Sequence, residues 1–223
     1  MIEKDLFSGK GIEIIRGSQD KRITISQQGI EIKREGRPIK FETPTAGFVY
    51  LVIDCSISMS GDKLNQAKKG AIDFAKDALD KGYLTGLIQF EKTATHLCKP
   101  VKEIHILEQC IKNIYIGEST NMADAIRIAR QHLLYDKKAP RVMVIATDGV
   151  PNSKEETLYE AGQAKKEGIS IITIGTDDAD SDFLKKLATQ TNLGVKVAKE
   201  QFGESITAAA KILPQLGPVK KRR

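Results

Sequence analysis

The 223-residue chain has no tryptophan, and aromatic residues make up only 5% of it. That scarcity argues against a dedicated platform for RNA or single-stranded DNA, which needs flat rings for bases to stack on. The three cysteines, Cys55, Cys98 and Cys110, are an odd number at wide spacing, with no C-x-x-C pair. Zinc and dithiol chemistry are disfavoured, and reduced, mostly buried thiols are expected. No apolar run approaches the ~20 residues that span a bilayer. The opening "MIEKDLFSGKG" lacks the apolar core of a secretion signal. The expectation is therefore a cytoplasmic protein with no membrane span.

Several catalytic signatures are also missing. "SGKG" has no upstream glycine of a P-loop, and no G-x-G-x-x-G opens a helix. His96, His105 and His132 are scattered, without an H-E-x-x-H motif or a nucleophile elbow, so each is expected to be satisfied or exposed. The net charge of +6 suggests nucleic acid only until it is divided along the chain. Residues 1–46 carry nine basic and seven acidic residues, 47–213 carry 22 of each, and 214–223 carry four basic residues and no acid. The body is neutral, and the "PVKKRR" tail reads as a solvated terminus able to touch phosphate, a membrane surface or an acidic partner.

What is present divides into an N-terminal β-rich extension (1–46), an α/β domain (47–213) and the basic tail (214–223). In the extension, "KRITIS" and "IEIK" alternate polar and apolar residues, with "QQG" and "EGRP" as turns, which predicts short antiparallel strands ending at a "TPTAG" linker. From Gly47 the texture changes to continuous apolar runs, "FVYLVI", "LTGLIQF", "RVMVIAT" and "ISIITIG". Strands buried on both faces look like this, and their alternation with helices implies a mostly parallel sheet covered on both sides. Stripes at Leu64, Ala67, Ala71, Phe74, Ala75, Ala78 and Leu79, and at Met122, Ala125, Ile126, Ala129 and Leu133, predict two amphipathic helices. Weaker helices are expected around Leu158–Lys165 and Phe183–Ala188. A short strand at Thr93–Leu97, a helix near Glu103–Lys112, a strand "VKVAK" and a helix from Glu204 to Leu213 complete the domain.

Three loops concentrate oxygen at strand ends, where open α/β sheets bind ligands. "LVIDCSISMSG" ends a strand at Asp54 and then offers Ser56 and Ser58. "GESTNMADAI" places Ser119, Thr120 and Asn121 before a helix, and "ATDG" places Thr147 and Asp148 at the end of another strand. Any one loop alone reads as an N-cap or a turn. Together they read as a site, because Asp54 and Asp148 brought close need a shared proton or a cation. A small hard cation such as Mg²⁺ suits hydroxyls plus one or two carboxylates. Cys55 and Ile57 should point away into packing between the ligands, and Ser60 should help start the helix after Gly61. "GTDDADSDF" lacks the spacing of an EF-hand and reads as acidic residues favouring a helix N-terminus.

"DCSIS", Thr120 in "GESTN" and Asp148 in "ATDG", in that order, resemble the five-residue metal-ion-dependent adhesion site of the von Willebrand factor A domain family. The resemblance covers roughly Ala46 to Leu213. It implies a three-layer, doubly wound, Rossmann-like α/β/α fold with a mostly parallel sheet. It also implies a metal held through the hydroxyls of Ser56, Ser58 and Thr120, with Asp54 and Asp148 bound directly or through water. Mg²⁺ is the first expectation, with Mn²⁺ and Ca²⁺ as alternatives. Ile57, where many members have glycine, and Ser119, where glycine or asparagine is frequent, are departures that remove no ligand.

The family further implies a protein partner that supplies an acidic residue to the metal, in an intracellular assembly that in some members includes an AAA+ ATPase. A non-catalytic adapter is the leading reading. A Mg²⁺-dependent hydrolase or phosphatase is the alternative, opposed by Ser56 standing where the second carboxylate of an aspartyl-phosphate enzyme would be. A scaffold whose metal is only a loop staple is a third.

Overall fold

The computed structural model describes residues 46–134 and 137–216 and, before them, the backbone of four strands. Most of the expected linker and the basic residues of the tail lie outside the described residues. The chain divides into two units, Met1–Thr45 and Ala46–Arg223.

In the first unit, β1 (Ile12–Ile14), β2 (Arg22–Ser26), β3 (Gly29–Arg34) and β4 (Arg37–Lys40) form an antiparallel sheet in that order. Its register sets Ile23 opposite Ile32 and Ile25 opposite Ile30. Sequence periodicity points to β2 and β3. The other two differ from expectation: β1 has three residues, and β4 starts at Arg37, inside the stretch read as a turn. Pro38 is tolerated there because β4 lies at the sheet's edge.

The second unit begins with β5 (Gly47–Asp54), a one-turn 3-10 helix (Ile57–Met59) and α1 (Asp62–Asp80). It continues through β6 (Tyr83–Phe90), β7 (Ala94–Val101), α2 (Ile104–Lys112), α3 (Met122–Leu133), β8 (Arg141–Thr147) and α4 (Lys154–Lys166). β9 (Ser170–Gly175), α5 (Ser181–Leu187), β10 (Gly194–Lys196) and α6 (Phe202–Ile212) complete it. The sheet runs β10-β9-β8-β5-β6-β7, parallel throughout except that β7 is antiparallel to β6. The β6 to β7 link is too short for a crossover, so a hairpin is the available connection.

Alternation along β5 assigns its side chains to two cores. Val49, Leu51 and Ile53 pack with α1, α2 and α6, including Phe74, Leu107 and Phe202. Tyr50 and Val52 pack with α3, α4 and α5, including Ile126, Ala164 and Phe183. Both faces are thus covered, giving the three α/β/α layers.

Three expectations need correction. β7 runs on to Val101 past Pro100, mostly half-buried, because an edge strand admits both proline and polar residues. β10, the opposite edge, keeps only three residues of "VKVAK" and its neighbours. Ser60 does not cap α1: its N–H closes the 3-10 turn onto the Ile57 carbonyl at 3.0 Å, and Gly61, at φ 76°, occupies the N-cap position.

The histidines are less scattered than their spacing suggests. His96 on β7 stacks on His132 of α3 with ring centroids 3.9 Å apart, and the Tyr50 hydroxyl lies 2.8 Å from His96 Nε2. Burial, followed by the adjacent imidazole, holds His96 below its ordinary pKa.

After β5 the chain builds outward through β6 and β7, then returns to the other side of β5 for β8, β9 and β10. The order reverses beside β5, so the crevice at the carboxyl ends of β5 and β8 is the switch point of the sheet. At the far end, Lys81 after α1 holds the segment following α6. Its Nζ donates to the carbonyls of Lys211 and Leu213, and its own carbonyl accepts from Leu216 N–H at 2.9 Å.

Candidate metal centre

β5 and β8 are buried along their lengths and become polar together where they end, at Asp54 and Thr147–Asp148. Asp54 is fully buried. Its Oδ1 accepts from Ser56 N–H at 2.9 Å and its Oδ2 from the Thr147 hydroxyl at 2.6 Å. The Ser56 and Ser58 hydroxyls are 3.0 Å apart, and Ser58 donates to Asp148 Oδ1 at 2.8 Å. Asp54, Ser56, Ser58 and Asp148 therefore form one continuous hydrogen-bonded row. From Ser56 the chain enters the 3-10 helix, which contains Ser58; this turn breaks the strand's alternation, so Ile57 is exposed rather than packed as expected. Cys55 is fully buried in the core on the α1 side, as its alternation requires.

Thr120 is not bonded to this row; its backbone pairs with Asn152 instead. Its N–H donates to Asn152 Oδ1 at 3.2 Å, and its carbonyl accepts from Asn152 N–H at 3.0 Å. Asn152 also meets the Ser119 hydroxyl, so the loops before α3 and α4 are clasped together. The capping role falls to Asn121, which accepts from Asp124 N–H at the start of α3. Gly117 N–H donates to the Cys55 carbonyl at 2.8 Å, fixing the second loop against the first.

Two residues outside the expected ligand set complete the surroundings, Lys63 and Asp177. Lys63, in the first turn of α1, donates from Nζ to Asp148 Oδ2 at 2.5 Å and to Asp177 Oδ2 at 2.8 Å. In "GTDDADSDF", Asp180 caps α5 as expected, accepting from the N–H groups of Asp182 and Phe183. Asp177 instead turns to Lys63.

The donors match a hard cation. Among the described residues no group of three or more His, Cys, Asp and Glu could hold a metal, so an ion here would depend on hydroxyl oxygens. Asp54 lies in an apolar setting with neutral hydrogen-bond partners, an arrangement that a cation would relieve. Burial pushes the Asp54 carboxyl up to about 6; the charge on Asp148 adds to the rise, while hydrogen bonds from Thr147 and Ser56 oppose it.

This raised value has a measurable consequence. The folded chain binds the Asp54 proton more tightly than the unfolded chain does. The group's stabilisation is full below the ordinary carboxylate pKa and is lost as pH rises through about 6. Metal-free protein should lose about 1 kcal/mol from this source between pH 5 and 7. Urea midpoints at the two pH values, for wild type and Asp54→Asn, measure it: the difference between the two chains should shrink at pH 5.

An open sheet whose strand order reverses beside β5, covered by helices on both faces, defines the class of doubly wound α/β domains. Within that class, the sequence model of the von Willebrand factor type A domain matches residues 49–209, and the chain belongs to this family. It is 27% identical over 143 residues to an uncharacterized protein of Borreliella burgdorferi, covering 58% of this chain and 41% of that one. The chain thus spans less than half of that relative's length.

Among solved structures, it is similar to the vWF domain of the type V pili tip protein Mfa5 from Porphyromonas gingivalis. The TM-score is 0.68 at 16% identity, over 75% of this chain and 94% of that one. It is also similar to proximal thread matrix protein 1 from the mussel byssus, in a structure with a zinc-occupied MIDAS motif. There the TM-score is 0.62 at 20% identity, over 75% of this chain and 47% of that one. These likenesses establish the fold. No helix among the described residues is long and apolar enough to cross a membrane.

Proposed function

We propose that the chain is a non-catalytic protein-interaction module with a metal-ion-dependent adhesion site formed by Asp54, Ser56, Ser58, Thr120 and Asp148. The observation that carries this reading is the hydrogen-bonded row at the switch point, from the Asp54 carboxylate through Ser56 N–H and the Ser56 and Ser58 hydroxyls to Asp148. Mg²⁺ is the first candidate, followed by Mn²⁺ and Ca²⁺. The bound ion would supply a Lewis-acidic position able to accept an acidic side chain of a protein partner. Each of the three loops also exposes one large apolar residue: Ile57 at 60%, Tyr115 at 50% and Val150 at 45%. An acidic partner residue flanked by apolar side chains complements such a surface.

The competing readings have less support. A phosphatase-type enzyme needs a second acid where Ser56 stands, and Lys63 is committed to two carboxylates. A purely structural staple would be redundant, because Ser58 to Asp148, Asn152 to Ser119 and Gly117 to Cys55 already tie the loops. The free thiols, two of them buried, suit a reducing cytoplasmic setting within a multiprotein assembly, for which an AAA+ ATPase is one candidate partner.

The test combines calorimetric titration of Mg²⁺ and Mn²⁺ with capture of protein partners in Mg²⁺ or in EDTA. Wild type should bind one ion, Asp54→Ala none, and capture should be lost with EDTA and with the variant. Capture that survives both treatments rules out the metal bridge.

A further inference from the structure

Lys63 lies where a lysine is costly. It is the second residue of α1, at the helix end that disfavours positive charge, and its side chain is only 11% exposed. Two carboxylates compensate it, Asp148 on the loop after β8 and Asp177 on the loop after β9. Asp177 has φ 47°, a left-handed conformation uncommon outside glycine. The next residue donates its N–H to the Asp148 carbonyl at 3.1 Å, so the two loops are joined by backbone as well as through the ammonium.

Each oxygen of Asp148 thus already has a partner, Oδ1 the Ser58 hydroxyl and Oδ2 Lys63. A divalent ion at either oxygen shares it with that partner or displaces it. In either case it would lie close to a fixed positive charge in a poorly solvated site, where like charges repel strongly.

Resting on the metal reading above, we propose that Lys63 sets the divalent-cation affinity of the cluster. Its ammonium is a tethered competitor for Asp148, and Asp177 is the acceptor that retains the ammonium when a cation enters. Asp148 is thereby kept for coordination through Ser58 or water until Lys63 swings toward Asp177. The two acids have opposite effects: Asp148 is shared between Lys63 and the metal, while Asp177 draws Lys63 away from the metal.

Mn²⁺ binding to the full chain, followed by loss of the free-ion electron paramagnetic resonance signal, tests this with Lys63→Met and Asp177→Asn. Lys63→Met should bind Mn²⁺ at least about tenfold more tightly than wild type. Asp177→Asn should bind more weakly, because Lys63 then has Asp148 alone. Asp177 is 35% exposed, so its replacement leaves the core intact and supplies the answer if Lys63→Met folds poorly. Equal or weaker binding by Lys63→Met, or tighter binding by Asp177→Asn, overturns the role of Lys63 while leaving the metal site standing. Absence of Mn²⁺ binding by wild type and both variants overturns the metal reading and this inference together.

Discussion

In metal-free buffer at pH 7, Asp54→Asn should raise the unfolding free energy by about 2 kcal/mol, whereas Asp148→Ala should lower it by about 3 kcal/mol. Two carboxylates of one cluster are thus expected to move stability in opposite directions, although loss of either should impair cation binding. Asp54 is buried with neutral partners, and burial pushes its carboxyl up to about 6, so at pH 7 the folded chain carries a charge it disfavours. An asparagine keeps the shape and can accept from Ser56 N–H, while its amide can donate to the Thr147 hydroxyl. Asp148, by contrast, compensates Lys63, and its removal leaves the buried ammonium with Asp177 alone. Breaking one side of a buried pair is costly because the remaining charge stays desolvated. Urea denaturation of the two variants in EDTA gives both signs; two losses of similar size would contradict this assignment of charge.

Gly70→Ala should cost about 2 kcal/mol or more, against the roughly 1 kcal/mol that alanine brings to a helix interior. Gly70 lies in the middle of α1, where a Cβ would run into the backbone carbonyl of Gly203 on α6. From the other side, a Cβ on Gly203 would come within 2.8 Å of the Gln66 carbonyl oxygen. Neither obstacle can rotate away, since both are backbone. The helices must separate, disturbing the layer that holds Phe74, Phe202 and Ile206. Equilibrium unfolding reads the loss, and a stabilised Gly70→Ala would show that α6 can move aside freely.

How much of this was legible in the sequence depended on range. Asp54 and Asp148 stand out because each follows an unbroken apolar strand, and the helical stripes of α1 and α3 identify their buried faces. The parallel sheet follows from the same apolar runs. Lys63 is opaque, since its partners are 85 and 114 residues away and a lysine in a first turn reads as solvated. Its position beside Leu64, at the edge of the buried stripe, is the only available signal. His96 and His132 meet because a hairpin returns β7 along β6 beside α3, a relation no local pattern encodes. Edge strands were the poorest match, because partial exposure mixes polar residues into β7 and shortens β10.

Gly47 packs against Tyr83 and, near the end of the described chain, Leu216. Backbone entry to the second unit and the last described residue are therefore neighbours, at the end of β5 opposite Asp54. Eight strand residues separate the two ends, a length of about 26 Å. Force applied between the cluster and this end would load β5 lengthwise, against parallel ladders on both flanks to β6 and β8. Tension would then be resisted in shear by many hydrogen bonds at once rather than by peeling them singly, which makes the central strand a mechanical tie rod.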